Sequence, residues 1–157
     1  MPIYEIPGRG AIDLDRLVLD LNGTLAVDGQ IIPGAAQRIH ALQGQGFCCY
    51  LLTADTRGTG SHVADTLGLH IHRLSRGHEM EQKQAFVEAL DAARVAAIGN
   101  GTNDAGMLDA AAVGIAVIQA EGAAWDALRT ADVVAPDICA ALDMLANPLR
   151  LVATLRS

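Results

Sequence analysis

A chain of 157 residues is near the usual size of one domain and can bury roughly 70% of its unfolded surface in a single core, so one domain over residues 1–157 is expected. Its formal charge of −7, with 11 Lys and Arg against 18 Asp and Glu, excludes the concentrated basic face with which nucleic-acid proteins displace counterions. The N-terminal MPIYEIPGRG lacks the basic and apolar blocks of a signal peptide, and no apolar run approaches the roughly 18 residues that span a bilayer; a soluble, cytoplasmic protein without nucleic-acid or membrane partners is expected.

Apolar residues make up 51% of the chain and aromatics only 3%, which calls for an interior of Ala, Leu, Val and Ile and suits helices packed closely on strands. Arg16 to Leu21 is a short apolar run ending in the turn signal Asn22-Gly23 and predicts a buried strand. Asp28-Gly29, between Leu25-Ala26-Val27 and Gln30-Ile31-Ile32, predicts a small hairpin over the end of that strand. Pro33 opens a helix through Ala35, Ile39 and Leu42 that Gly44 and Gly46 end. Phe47 to Leu52 is a continuous apolar run of the kind buried on both faces of a parallel sheet.

A helix from about Ser61 to Leu67, a strand around Leu69 to Leu74 and a helix from Glu79 to Leu90 follow. Val95 to Ile98, Gly114 to Ile118 and Asp132 to Val134 predict further short strands, with helices near Asn103 to Ala112 and Ala123 to Arg129. The tail, Ile138 to Leu151, is helical and broken at Asn147-Pro148. Strands alternating with helices at this spacing imply a doubly wound, mostly parallel α/β sheet with the site outside the carboxyl ends of its strands.

Polar clusters follow directly on the predicted strands: Asp20-Leu-Asn22-Gly-Thr24, Thr53-Ala-Asp55, and Gly99-Asn100-Gly-Thr-Asn103-Asp104, with Lys83, the only lysine in the chain, near the start of a helix. A carboxylate at a strand end, as at Asp20, can attack phosphorus in line if cations offset the repulsion between two anions. The Thr53 hydroxyl and neighbouring N–H groups can hold phosphoryl oxygens. Lys83 supplies a point positive charge, and Asp104 is a hard oxygen ligand of the type Mg²⁺ prefers. Against these stand a solvated lysine and a helix-capping aspartate. Cys48, Cys49 and Cys139 are expected to be packed rather than reactive. His70 and His72 share one face of a strand, as a metal pair or as packed residues, and the stretch Arg73 to His78 is either a source of positive charge for the substrate or a solvated loop.

DLNGTL, LLTAD, the lysine and GNGTNDAGML, in this order, resemble the four motifs of the haloacid dehalogenase superfamily. Within it the strings are similar to the phosphorylation domain of P-type ATPases, even to ADVV at Ala131 to Val134, and so to the small soluble P-type ATPase-like hydrolases. The resemblance implies a Rossmann-like core and an aspartyl phosphate on Asp20. It implies catalytic roles for Asp20, Asn22, Thr53 and Lys83, and Mg²⁺ held by Asp20, Asn22, Asn100 and Asp104. The phosphate contacts it implies come from Gly23, Thr24, Thr53, Ala54, Lys83 and Asn103.

Two positions depart from the superfamily's pattern. Asn22 stands where hydrolytic members carry the aspartate that protonates the leaving group and activates water, which an amide cannot do, and Asn100 replaces an acidic metal ligand. A slowly hydrolysing intermediate is the expectation, with a non-catalytic binding or regulatory module as the alternative. With only a hairpin after the first strand, no cap domain is expected. An open site suits a phosphorylated small molecule, an exposed phosphoryl group on a larger substrate, or a homo-oligomer that covers it.

Overall fold

The computed structural model describes residues 3–157. Ten strands and seven helices follow one another as β1 Ile3–Ile6, β2 Gly10–Asp13, β3 Arg16–Asp20, β4 Ala26–Val27, β5 Gln30–Ile31, α1 Ala35–Gly44, β6 Cys48–Thr53, α2 Thr59–Leu67, β7 His70–Arg73, α3 Glu79–Ala89, β8 Val95–Gly99, α4 Ala105–Ala110, β9 Val113–Val117, α5 Trp125–Thr130, β10 Val133–Ala135, α6 Ile138–Ala146 and α7 Pro148–Leu155. Six strands form one parallel sheet in the order β10-β9-β8-β3-β6-β7. The chain lays down β3, β6 and β7 in one direction, then crosses back to place β8 on the other side of β3. Three adjacent central strands, β8, β3 and β6, therefore end side by side at the point where the order reverses, the place where such sheets hold ligands.

Both faces of the sheet are covered, and the side chains alternate between them as the pleat demands. Leu17 and Leu19 of β3, Ile98 of β8 and Ile115 of β9 pack with α1, α2, α6 and α7 through Ile39, Leu42, Val63, Leu67, Leu142, Leu145 and Leu151. Val18, Ala97 and Ala116 point the other way, toward Val87, Met107, Leu108 and Ala127 of α3, α4 and α5. The second face is lined by smaller residues, which lets its helices lie close to the strands. Cys49 is buried and its thiol is pushed by burial up to about 12, while Cys48 and Cys139 are half-buried; all three are free. They have the packed character expected of them.

The hairpin β4–β5 is the one the sequence indicates, with Asp28 and Gly29 both at positive φ in its turn. Nothing larger stands between β3 and α1. Two elements differ from expectation. The segment near Asn103 begins as a 3₁₀ turn, Thr102–Asp104, before α4 starts. Residues 3–13 form an antiparallel hairpin of their own, β1–β2, whose strands are too short for their local pattern to announce them. Tyr4 anchors it: the side chain is fully buried and its hydroxyl donates to the Leu145 carbonyl at 2.6 Å. Among the described residues no single helix is long and apolar enough to cross a membrane, and α6 and α7 meet at an angle of 101°.

Opposite the carboxyl ends of the strands, Arg94 ties β2 to the start of β3. It reaches Asp15 through Nε at 3.1 Å and Nη2 at 2.5 Å, and Asp13 through Nη1 at 3.2 Å. The guanidinium holds the Asp15 carboxyl below the usual carboxylate range. A depressed carboxylate stabilises the fold above its unfolded pKa of about 4 and loses that contribution as pH falls through its folded value. Arg94→Gln is therefore expected to lower stability at pH 7, and the gap to the parent protein should close on acidification toward pH ~3. Chemical denaturation at a series of pH values checks this.

Candidate active site

Each functional side chain arrives at the cleft because a central strand or its crossover helix ends there. Asp20 is the last residue of β3, Thr53 the last of β6, and Asn100 follows the last residue of β8. Lys83 comes from α3, the helix that carries the chain from β7 across to β8. Its stripe on α3 is the buried one, shared with Val87 one turn on. Gln82 fixes where that helix starts, since its side chain bonds to both backbone groups of Ser75 and to the Gly77 carbonyl. The cleft has a volume of about 560 Å³, and its wall includes Asp20, Asn22, Thr53, Ala54, Lys83, Asn100 and Asn103.

At the floor one ammonium joins two carboxylates. Lys83 Nζ donates to Asp20 Oδ1 at 2.9 Å and to Asp104 Oδ1 at 2.7 Å, and a longer contact of 3.4 Å reaches Asn103 Oδ1. The lysine is 2% exposed, so the solvated lysine is set aside; Asp104, fully buried, does cap the turn at Thr102 through backbone N–H groups and binds Lys83 as well. Burial alone would lower the Lys83 pKa; the two carboxylates outweigh it and hold the group above its ordinary value. Burial, reinforced by the charge on Asp104, pushes the Asp20 carboxyl up to about 7 against the pull of Lys83. A buried carboxylate, Asp104, and a partly buried one, Asp20, thus share one ammonium, and negative charge in excess of it is poorly tolerated in a low-dielectric site.

Asp104 has a second set of partners: its Oδ2 accepts the N–H groups of Asn100 at 3.0 Å and Gly101 at 2.9 Å. The carboxylate folds back onto the end of β8 because residue 99 is glycine; a Cβ there would lie 2.4 Å from Asp104 Cγ. Both oxygens are thus engaged within the protein. Asp104, expected as a metal ligand, sits behind Lys83 and acts on the cleft through that ammonium. Thr24 also lies behind the carboxylate rather than in the cleft wall. It is fully buried, and its hydroxyl is shared between Asp20 Oδ2 at 3.4 Å and Asn100 Oδ1 at 3.3 Å. Gly23 is buried beside it, against the Asn100 amide. The turn after β3 thus folds the Thr24 hydroxyl under Asp20.

Thr53 is oriented for donation, since its Oγ1 accepts the Asp55 N–H at 3.0 Å and its own proton is left for a partner in the cleft. Asn22 is exposed at the mouth. The hydrogen-bond chain from Asp20 through Thr24 to Asn100 places one carboxylate and neutral oxygens in one region, the hard donor set that suits Mg²⁺, which takes few protein carboxylates and keeps water or phosphate in its other positions. Among the described residues no group of three or more His, Cys, Asp or Glu side chains is arranged to hold a metal. His70 and His72 instead pack on aromatic rings, 5.4 Å from Tyr50 and 4.6 Å from Phe86.

A family model described as haloacid dehalogenase-like hydrolase matches residues 3–112. The chain belongs to the haloacid dehalogenase-like hydrolase family. Copper-exporting P-type ATPase B of Archaeoglobus fulgidus is 34% identical over 122 residues, covering 73% of this chain and 16% of the transporter. The chain spans between about a tenth and a sixth of the length of such curated relatives. A zinc-transporting PIB-type ATPase structure superposes with a TM-score of 0.65 at 29% identity over 79% of this chain and 20% of the other. The structure of 3-deoxy-D-manno-octulosonate 8-phosphate phosphatase from Moraxella catarrhalis, with magnesium and phosphate ions, has a TM-score of 0.69, covering 91% of this chain and 94% of the other. At 18% identity that likeness is one of fold.

This haloacid dehalogenase-like site also contains residues that the motif strings do not include. Arg57, Glu79 and Glu121 complete, with Asp55 of the LLTAD string, the charged wall of the cleft. Gln119, in the loop after β9, bonds to the turn that carries Asp20. It lies two residues beyond the end of buried β9, close to the sheet edge at which Asp20 and Thr53 end their strands, and that position is the signal that could have found it. Arg73, a candidate for substrate binding, is instead tied to the loop after β6 through the Asp55 carbonyl and Ser61. Lys83→Met is expected to destabilise the protein by about 3–5 kcal/mol, because it leaves a buried and a partly buried carboxylate unpaired. Adding Asp104→Asn to Lys83→Met should restore part of that loss. Urea unfolding of the single and double variants measures both.

Proposed function

We propose that the protein is a Mg²⁺-dependent phosphohydrolase that passes the phosphoryl group through Asp20 and releases it slowly. The observation that carries this reading is the position of the Asp20 carboxylate, held by Lys83 at 2.9 Å at the end of the central strand and facing a cleft that Thr53 also lines. Oδ1 is bound to the ammonium, and Oδ2, with the Thr24 hydroxyl 3.4 Å away, is the oxygen assigned to attack phosphorus. Attack forms the bond from Oδ2 to phosphorus and breaks the bond to the leaving oxygen, and water later cleaves the acyl phosphate.

Lys83 fixes the nucleophile and faces the transferring oxygens with positive charge. The Thr53 hydroxyl and the Ala54 region supply donors for those oxygens. Mg²⁺, when bound by Asp20 with the oxygens of Asn22 and Asn100, would neutralise the charge of the incoming phosphoryl group. Asn22 can neither protonate a leaving group nor take a proton from water, so substrates whose leaving groups depart without protonation, such as acyl phosphates or nucleoside triphosphates, are favoured. Among the described residues only the small hairpin β4–β5 stands between β3 and α1, and a cleft left open there supports either a phosphorylated small molecule or an exposed phosphoryl group of a larger substrate. The two amides, Asn22 and Asn100, favour a second reading, a module that binds a phosphoryl group without turning it over.

A chromogenic phosphate ester with Mg²⁺ separates the two. The proposal predicts a burst of about one equivalent of product per chain followed by slow turnover, both abolished by Asp20→Asn. Asn22→Asp should then raise the steady rate by about 10²-fold, the scale of general acid-base catalysis. An Mg²⁺-independent rate, or one that survives Asp20→Asn, contradicts it; binding without any burst supports the second reading.

A further inference from the structure

The turn that follows Asp20 makes its internal bonds through few acceptors. The N–H groups of Thr24, Leu25 and Ala26 all converge on the Leu21 carbonyl, and the Gly23 N–H donates to Ala26 O. The carbonyls of Gly23 and Thr24 are bound from outside, by a single side chain two strands away. Gln119 Nε2 donates to Gly23 O at 3.0 Å and to Thr24 O at 2.9 Å. The other end of the same amide, Oε1, accepts the N–H of Ile138, the first residue of α6, at 2.8 Å.

A second carboxamide closes the arrangement. Asn100 Nδ2 donates to the Gly122 carbonyl at 3.1 Å, the Gly122 N–H donates to Gln119 O at 2.8 Å, and the Ala124 N–H donates to Asn100 O at 2.8 Å. The loop from Gln119 to Ala124 is thereby fixed to the end of β8. Asn100 also abuts the turn directly. Gly23 has φ +79, and a Cβ on it would lie 2.4 Å from Asn100 Nδ2, so residue 23 has no side chain of its own with which to hold its place. The donation to Gly122 needs an amide, since an aspartate at position 100 would offer only acceptors.

We propose that Gln119 is a positioning residue for the nucleophile: its amide sets the Gly23–Thr24 backbone and, through the Thr24 hydroxyl, the orientation of the Asp20 carboxylate. Asn100 is its partner in this role, which gives the asparagine a use of its own at a position where related sites carry an acid. This inference rests on the reading of Asp20 as the attacking group. Gln119 touches neither substrate nor the reacting atoms, and its effect passes through the turn. Misplacing a reacting group by about 1 Å costs about 10²-fold in rate, and two backbone carbonyls without donors are free to relax by that much.

Gln119→Glu tests the inference, because a carboxylate keeps the acceptor for Ile138 N–H and loses both donors to the turn. Two readouts are taken. The first is amide hydrogen exchange by NMR at Thr24, Leu25 and Ala26, with β8 as internal reference; at least tenfold faster exchange in the turn with β8 unchanged is expected, whether or not the wild-type protein hydrolyses phosphate. The second is kinetic, with the rate constant of the burst falling by about 10- to 100-fold while the slow steady rate, which hydrolysis of the acyl phosphate limits, moves far less. If Gln119→Glu does not fold cooperatively, Gln119→Met, of similar length with no donor, takes its place. Wild-type exchange in the turn overturns the proposal, as does equal acceleration in β8 or failure of both variants to fold, either of which marks a purely global structural role. Loss of wild-type activity with accelerated exchange in the turn overturns the phosphohydrolase reading and leaves the clamp standing.

Discussion

One ammonium between a buried and a partly buried carboxylate is the constraint around which the rest of the protein is arranged. Lys83 joins the end of β3, through Asp20, to the loop after β8, through Asp104. An ion cluster at this depth is stable only with all partners in place, since removing one leaves a charge with neither water nor a counter-ion. The fold supplies each partner by a different route: a strand end, a crossover helix and a strand-to-helix loop. The order of the parallel sheet makes these three neighbours. The cluster is therefore a consequence of topology, and its net negative charge is what a cationic cofactor would answer.

The scaffold was legible in the sequence where burial is continuous. Val95 to Ile98, Phe47 to Leu52 and Gly114 to Ile118 are apolar runs between turn signals, and each forms a central strand within a residue or two of the expected span. The N-terminal hairpin was not, because Ile3 to Ile6 and Gly10 to Asp13 are short and draw their stability from contacts far along the chain. Tyr4 has its partner at Leu145, a separation no local pattern encodes. The start of α4 lies later than the local pattern indicates, for a related reason. Asp104 accepts N–H groups from the residues before it, and that tightens the chain into a 3₁₀ turn before the helix proper begins.

The site was legible as a set of residues and less so as a geometry. Strand-end placement found Asp20, Thr53 and Asn100, and the solitary lysine found itself. What the linear pattern could not show is depth. Thr24 and Asp104 read as ligands because their types suit the chemistry, yet the chain folds both beneath the groups they serve. Gln119 and Arg57 carry no motif, since one acts through backbone carbonyls and the other stands on the rim. The two asparagines, read along the sequence as losses, have defined partners in space for at least one of them: every polar group of the Asn100 side chain is bonded.

The account stands on Asp20 as the atom donor to phosphorus. The most direct measurement is mass spectrometry of the protein after incubation with acetyl phosphate and Mg²⁺ and an acid quench. A single phosphoryl adduct on the peptide that contains Asp20, removed by hydroxylamine as an acyl phosphate must be, is the predicted result. An adduct on any other residue, or none under conditions in which phosphate is released, would contradict it.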